Sequence, residues 1–229
     1  MLERRKKISK KQIKEDKLVT TYYTIQTFFL ENQAKILIGA GIVALIIVAS
    51  ILFMNKRNAD NQSAAALLAK VIPLYEAGSY KEAVDGEPKT NTTGLKKIVN
   101  EYGGTENGNT AKIYLANSYV MLGNNDAAYS NYDSYSGSNS LFKAAALAGR
   151  AGCLESKKDF EKAADLYKDA ARVSKINPSN GEFLLKAGID LIKLGKKEEA
   201  KRIFETIKKD YKTSPAFSDL DRYLVQVEG

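Results

Sequence analysis

The segment VMLGNNDAAY, residues 120–129, has three counterparts in this chain: YEAGSYKEAV (75–84), LESKKDFEKAA (154–164) and IKLGKKEEAK (192–201). Each ends a run of helical periodicity, makes a polar turn, and reaches an alanine just past it: Ala83, Ala128, Ala163 and Ala200. These alanines stand 45, 35 and 37 residues apart. Self-similarity at such a period marks one supersecondary unit repeated along the chain. Apolar residues recur at helical spacing on both sides of every turn. The reading is an all-α chain of antiparallel helix pairs.

The pattern extends beyond the turns. A small residue stands in the first helix at Ala116, Ala151 and Gly188, with Val71 in the first unit. A larger one follows three positions later, at Leu74, Tyr119, Leu154 and Leu191. The turn carries Gly78, Gly123 and Gly195, with Lys158 in the third unit. An aromatic follows in the second helix, at Tyr132, Tyr167 and Phe204. These residues resemble tetratricopeptide (TPR) repeats, helix–turn–helix units of 34 residues. The physics agrees: small residues let helices approach, large ones fill the seam, and glycine supplies the left-handed cap that reverses the chain. The expected fold is a TPR-like α-solenoid of about four helix pairs over 63–229.

The chain also departs from that pattern. The proline that follows the second helix in the family is missing, and Glu87 stands where the first unit needs an aromatic. The first unit reads as degenerate, followed by an insertion over 86–109 in which Leu95 to Tyr102 is a short helix. A last helix, about 215–227, places Phe217, Leu220 and Leu224 on one face and would cap the open end.

In the family's register the first helices line a concave groove. The resemblance places Leu68, Ile72 and Tyr75 there in the first unit, and Ile113, Asn117 and Val120 in the second. Ala148, Gly152 and Glu155 follow in the third, then Leu185, Ile189 and Ile192 in the fourth. This lining is mostly apolar. Two readings stay open: a docking surface for an extended polypeptide or a partner's helix, or a groove the protein fills itself. The clamp with which some TPR domains grip a terminal carboxylate is not implied, since Ile113, Tyr114, Ala145 and Gly149 stand at several of its positions.

Ahead of the repeats lies ILIGAGIVALIIVASILFM (36–54), 19 residues without a charge. As a helix it spans about 28 Å, close to the hydrocarbon thickness of a bilayer. Residues 1–35 hold nine Lys or Arg, among them Arg4, Arg5, Lys6 and Lys7, while the 16 residues after Met54 hold three. Basic residues stay cytoplasmic, so the N-terminus is expected inside and the large domain outside. The long basic segment, the length of the apolar run and the lack of an A-x-A site favour an uncleaved anchor over a signal peptide. Residues 1–17 then read as a basic tail, 36–54 as the transmembrane helix and 55–62 as a linker. The aromatic stretch LVTTYYTIQTFFL (18–30), within the segment 18–35, reads either as an interfacial helix or as an extension of the anchor.

Composition excludes several chemistries. There is no histidine, so histidine metal sites and Ser-His-Asp or Cys-His catalysis are ruled out. The single cysteine, Cys153, excludes an intrachain disulfide and reads as a small core residue. No glycine-rich phosphate loop is present. The chain therefore reads as a non-enzyme without cofactor or metal. Its net charge of +8 comes mostly from residues 1–35, nine basic against four acidic, which suits anionic lipid rather than nucleic acid.

A basic tail, an early anchor and an outer TPR-like domain together resemble the YfgM-type family of ancillary Sec translocon subunits. The segment 95–123 is similar to Bacteroidetes versions of it. The resemblance implies a non-catalytic adaptor or chaperone at the bacterial inner membrane with its repeat domain in the periplasm. It implies two partners, a SecYEG-type translocon and a membrane-anchored peptidyl-prolyl isomerase-type chaperone, and unfolded secreted polypeptides as clients. The alternative is a scaffold subunit of another envelope complex, in secretion or division.

Overall fold

The computed structural model describes residues 10–228, with the side chains of 10–16, 18 and 228 excepted. The part of the basic tail over 1–9 lies outside the described residues. Eleven α-helices and a two-stranded hairpin make up the described chain, so the all-α expectation holds. The chain divides into two compact units, 1–56 and 57–229.

The first unit holds α1 (Lys10–Glu31) and most of the apolar part of α2 (Gln33–Glu76). Only Asn32 separates them, and backbone bonds continue across it, from Asn32 N to Phe28 O (3.0 Å) and from Ile36 N to Asn32 O (2.9 Å). Residues 18–35 are thus helical on both sides of one turn residue. An 18-residue window of α2 has mean hydropathy 3.0 and none of it is buried within the protein. Among the described residues α2 is the one helix long and apolar enough to cross a membrane. Its Leu37, Leu45, Leu52 and Phe53 are each more than three-fifths exposed, the arrangement expected of a surface whose solvent is lipid.

Residues 55–62, a linker by their sequence, are helical instead, because α2 runs on to Glu76. The segment NKRNADNQ has neither Gly nor Pro to break a helix nucleated on both sides. Its second half also belongs to the domain that follows. Asn61 Oδ1 accepts from Asn107 N (2.8 Å), and Arg57 Nη2 donates to Gly104 O (3.3 Å).

In the second unit helices pack on their neighbours in chain order. The end of α2 is followed by α3 (Tyr80–Asp85), a hairpin of β1 (Gly86–Glu87) and β2 (Thr92–Thr93), and α4 (Leu95–Tyr102). Three helix pairs come next: α5 (Glu106–Met121) with α6 (Asn125–Asp133), α7 (Ser140–Ser156) with α8 (Phe160–Arg172), and α9 (Asn180–Lys193) with α10 (Lys197–Asp210). The last helix is α11 (Pro215–Glu228), which packs on both α9 and α10. The first pair is stunted, since α3 has six residues. The insertion is shorter than the sequence suggests, because Glu106 already opens α5; Thr105 caps that helix through its side chain, accepting from Gly108 N at 3.0 Å. Within the insertion α4 contributes to the core, with Leu95 and Ile98 fully buried beside Leu68, Val71, Ala83 and Leu115.

The repeat has one conformational signature. Gly78, Gly123 and Gly195 have φ of 78°, 76° and 74°, and Lys158 takes φ 62° at the same place in the third turn. Five residues after each stands a fully buried alanine, Ala83, Ala128, Ala200 and Ala163 respectively. The turn therefore sets the phase of the helix after it and aims one small side chain at its partner. Opposite them the second-helix aromatics are sunk: Tyr132, Tyr167 and Phe204 are 5 %, 1 % and 0 % exposed. Phe204 rests on the backbone of α9, where a Cβ at Gly188 would lie 2.2 Å from its ring. In α11 the buried face is Ala216, Leu220, Leu224 and Val227. Phe217, by its sequence a member of that face, lies one position round the helix and is 37 % exposed.

Gly188→Ala is expected to lower stability by about 2 kcal/mol through overpacking against Phe204. Lys158→Gly is expected to raise it by about 1 kcal/mol by relieving the left-handed backbone. Urea unfolding of both variants measures the two effects, and a lower midpoint for the Lys158 variant would contradict the assignment.

Candidate protein-binding face

The groove positions lie on the first helix of each pair, at the end of α2 and on α5, α7 and α9. The structure divides them. Leu68, Ile113 and Leu185 are core residues, 4 %, 4 % and 8 % exposed, and do not line an open groove. Leu68 joins the cluster completed by the insertion helix α4, Ile113 packs with Tyr132, Ala146 and Cys153, and Leu185 belongs to the core around Phe204. Ile72, Tyr75, Asn117, Glu155, Ile189 and Ile192 are half-buried, and Val120 is exposed. Ala148 and Gly152 are half-buried as well.

Polar side chains, rather than the expected apolar lining, connect the pairs across this face. Asn117 on α5 is held from both directions: its Nδ2 donates to the Tyr75 hydroxyl (3.4 Å), and its Oδ1 accepts from the Tyr132 hydroxyl of α6. Tyr75 is also packed edge-on against Tyr80 and Tyr114, with ring centroids 5.6 and 5.0 Å away. Burial raises the Tyr132 phenol well above its ordinary pKa, so it stays a neutral donor.

Between α6 and α7 the bridge is Arg150. Its Nη2 reaches the Tyr129 hydroxyl (3.2 Å) and Asp133 (3.1 Å), with the guanidinium 5.2 Å from the Tyr129 ring centre. The tyrosines at 129, 132 and 135 are thus a packing and bonding series.

Between α7, α8 and α9 the bridge is Glu155. It accepts from the Tyr167 hydroxyl of α8 and from Lys193 Nζ of α9 (3.4 Å), and Lys193 also bonds Asp190 (2.8 Å). Lys193 lies 4.5 Å from the Phe160 ring centre as well. Burial, then the bond to Glu155, pushes the Tyr167 phenol above its usual range. Burial raises the Asp190 carboxyl to about 6 against the opposing bond from Lys193, with Glu155 adding to the rise. Cys153 is buried, its thiol pushed up by desolvation, and has the inert core role its sequence suggests. Among the described residues no group of three or more metal-ligating side chains converges.

Sequence reasoning placed Tyr75, Asn117 and Glu155 on this face but missed Tyr132, Arg150, Tyr167, Asp190 and Lys193. One signal was available. Asp190 interrupts the apolar run of α9 at a position that packing buries, and a buried polar residue is more informative than an exposed apolar one. No protein-family model, curated protein or solved structure matches this chain.

Tyr132→Phe takes the donor from Asn117 Oδ1 while preserving the ring against Gly149. It is expected to cost about 1–2 kcal/mol, measured as a shift of the urea midpoint. An unchanged midpoint would mean that water replaces the hydroxyl at no cost.

Proposed function

We propose that this chain is a non-catalytic protein-binding adaptor or chaperone, held in the bacterial inner membrane by the helix over 36–54. In this reading the N-terminus is cytoplasmic and the repeat domain periplasmic. The domain is a TPR-like solenoid whose first helices present Ile72, Tyr75, Asn117, Val120, Glu155, Ile189 and Ile192 to a polypeptide. The chain works beside a SecYEG-type translocon with a membrane-anchored peptidyl-prolyl isomerase-type chaperone. Its clients are unfolded secreted proteins, and its basic N-terminal segment meets anionic lipid.

One observation carries the reading: a left-handed turn residue followed five positions later by a buried alanine, four times, in a chain that also has a helix long and apolar enough to cross a membrane. Helix pairs stacked in series make an extended surface suited to other chains, rather than a closed pocket for small molecules. The accessible part of that surface mixes isoleucines with tyrosine, asparagine and glutamate. Such mixed lining suits extended peptides, which carry both apolar side chains and unpaired backbone groups.

Two measurements test the proposal. A cysteine at Ser63, in a Cys153→Ala background, is expected to react with an impermeant thiol reagent outside intact spheroplasts; reaction only after lysis would reverse the topology. Photo-crosslinkers at Ile72, Val120 and Ile189 are expected to capture translocon subunits, the isomerase-type chaperone or nascent secreted chains. Crosslinks confined to the protein itself would overturn the client-binding role.

A further inference from the structure

Asp190 is the one fully buried carboxylate among the described residues. One of its oxygens accepts from Lys193 Nζ at 2.8 Å, and the other, Oδ2, is buried without a hydrogen-bond partner. The same ammonium is shared with Glu155 at 3.4 Å, so one cation serves two carboxylates that stand on different helices. With both acids ionised one ammonium faces two carboxylates, and the cost falls on the buried Asp190, whose Oδ2 is unpartnered, since Glu155 and Lys193 keep a quarter and more than a third of their side chains exposed.

We propose that Glu155, Asp190, Lys193 and Tyr167 form a proton-controlled latch between the third helix pair, α7 and α8, and the fourth, α9 and α10. A proton held between the two carboxyls leaves the seam neutral and satisfies the orphaned oxygen, and the latch is closed. Loss of that proton leaves adjacent anions facing one ammonium, and the fourth pair opens more readily. This inference does not depend on the proposed clients or partners.

The surrounding groups are few. Glu155 and Cys153 face the cluster from α7, and Tyr167 from α8. Lys193 and Lys186 come from α9, with Lys186 Nζ 5.4 Å from the Tyr167 ring centre. Helices α10 and α11 also pack on α9, yet among the described residues they place no ionisable side chain in bonding contact with the cluster. Burial raises the Asp190 carboxyl from its ordinary 3.8 to about 6. A raised carboxyl pKa stabilises the fold fully below the unfolded value, and this stabilisation is lost as pH rises through the folded value. That rise corresponds to about 100-fold in the opening equilibrium over its whole range, and to about tenfold between pH 5 and 7.5.

Hydrogen exchange of the full-length chain in lipid nanodiscs, corrected for the intrinsic effect of pH, tests the latch helix by helix. The open population of α9 is expected to rise about tenfold from pH 5 to 7.5, with α5 unchanged. Asp190→Asn, which keeps an acceptor for Lys193, is expected to abolish that rise. Glu155→Gln, which leaves Lys193 to Asp190 alone, is expected to move it below pH 5, and it serves alone if the Asp190 variant does not fold. Equal protection of α9 at the two pH values would overturn the proposal. So would an equal change in α5, or a rise that survives in every variant that folds.

Discussion

Everything in the repeat domain depends on how closely two helices approach at a crossing. Interaxial distances are about 8–10 Å and are set by the side chains caught at the contact. Here those side chains are single carbons or none. Ala83, Ala116, Ala128, Ala151, Ala163 and Ala200 are all fully buried, and Gly188 leaves no room for a Cβ beneath Phe204. A larger residue at any of them would push one pair of helices apart. The aromatics seated beside the crossings would then lose their contacts too, so the cost would not stay local.

The turn residues make that approach repeatable. A left-handed residue at Gly78, Gly123, Lys158 and Gly195 reverses the chain and fixes where the next helix begins its count. Because the count to the buried alanine is always five, every second helix meets its partner in the same phase. The third turn does this with a lysine, so the geometry is imposed by the packing around it and not by glycine alone.

Polar bridges add a second constraint of a different kind. Apolar seams tolerate small slips, whereas Asn117 between two tyrosine hydroxyls and Glu155 between Tyr167 and Lys193 have one satisfying arrangement. Together with Arg150 between α6 and α7, they tie each helix pair to the next. The accessible isoleucines on the face of the first helices sit on a framework held by hydrogen bonds, in which Asp190 Oδ2 and Arg150 Nε are buried without a partner.

The sequence by itself determined the helix pairs, their turns, the buried alanines and aromatics, and the helix able to cross a membrane. Each of these rests on local spacing: period 3.6 along a helix, a fixed count from turn to alanine, or an uncharged run. The tertiary structure alone decided which face positions stayed accessible. Leu68 is covered because the insertion contributes Leu95 and Ile98 from outside the repeat register. Ile113 is covered because it packs with Tyr132, Ala146 and Cys153, and Leu185 because it joins the core around Phe204, partners that no local pattern specifies. The helical continuity of 55–62 and the exposure of Phe217 belong to the same class. So do the polar bridges: Tyr75 and Asn117, 42 residues apart, and Glu155 and Lys193, 38 apart, meet only when successive pairs stack. Spacing along a chain encodes what a helix buries; which neighbour buries it is settled by where the other helices come to rest.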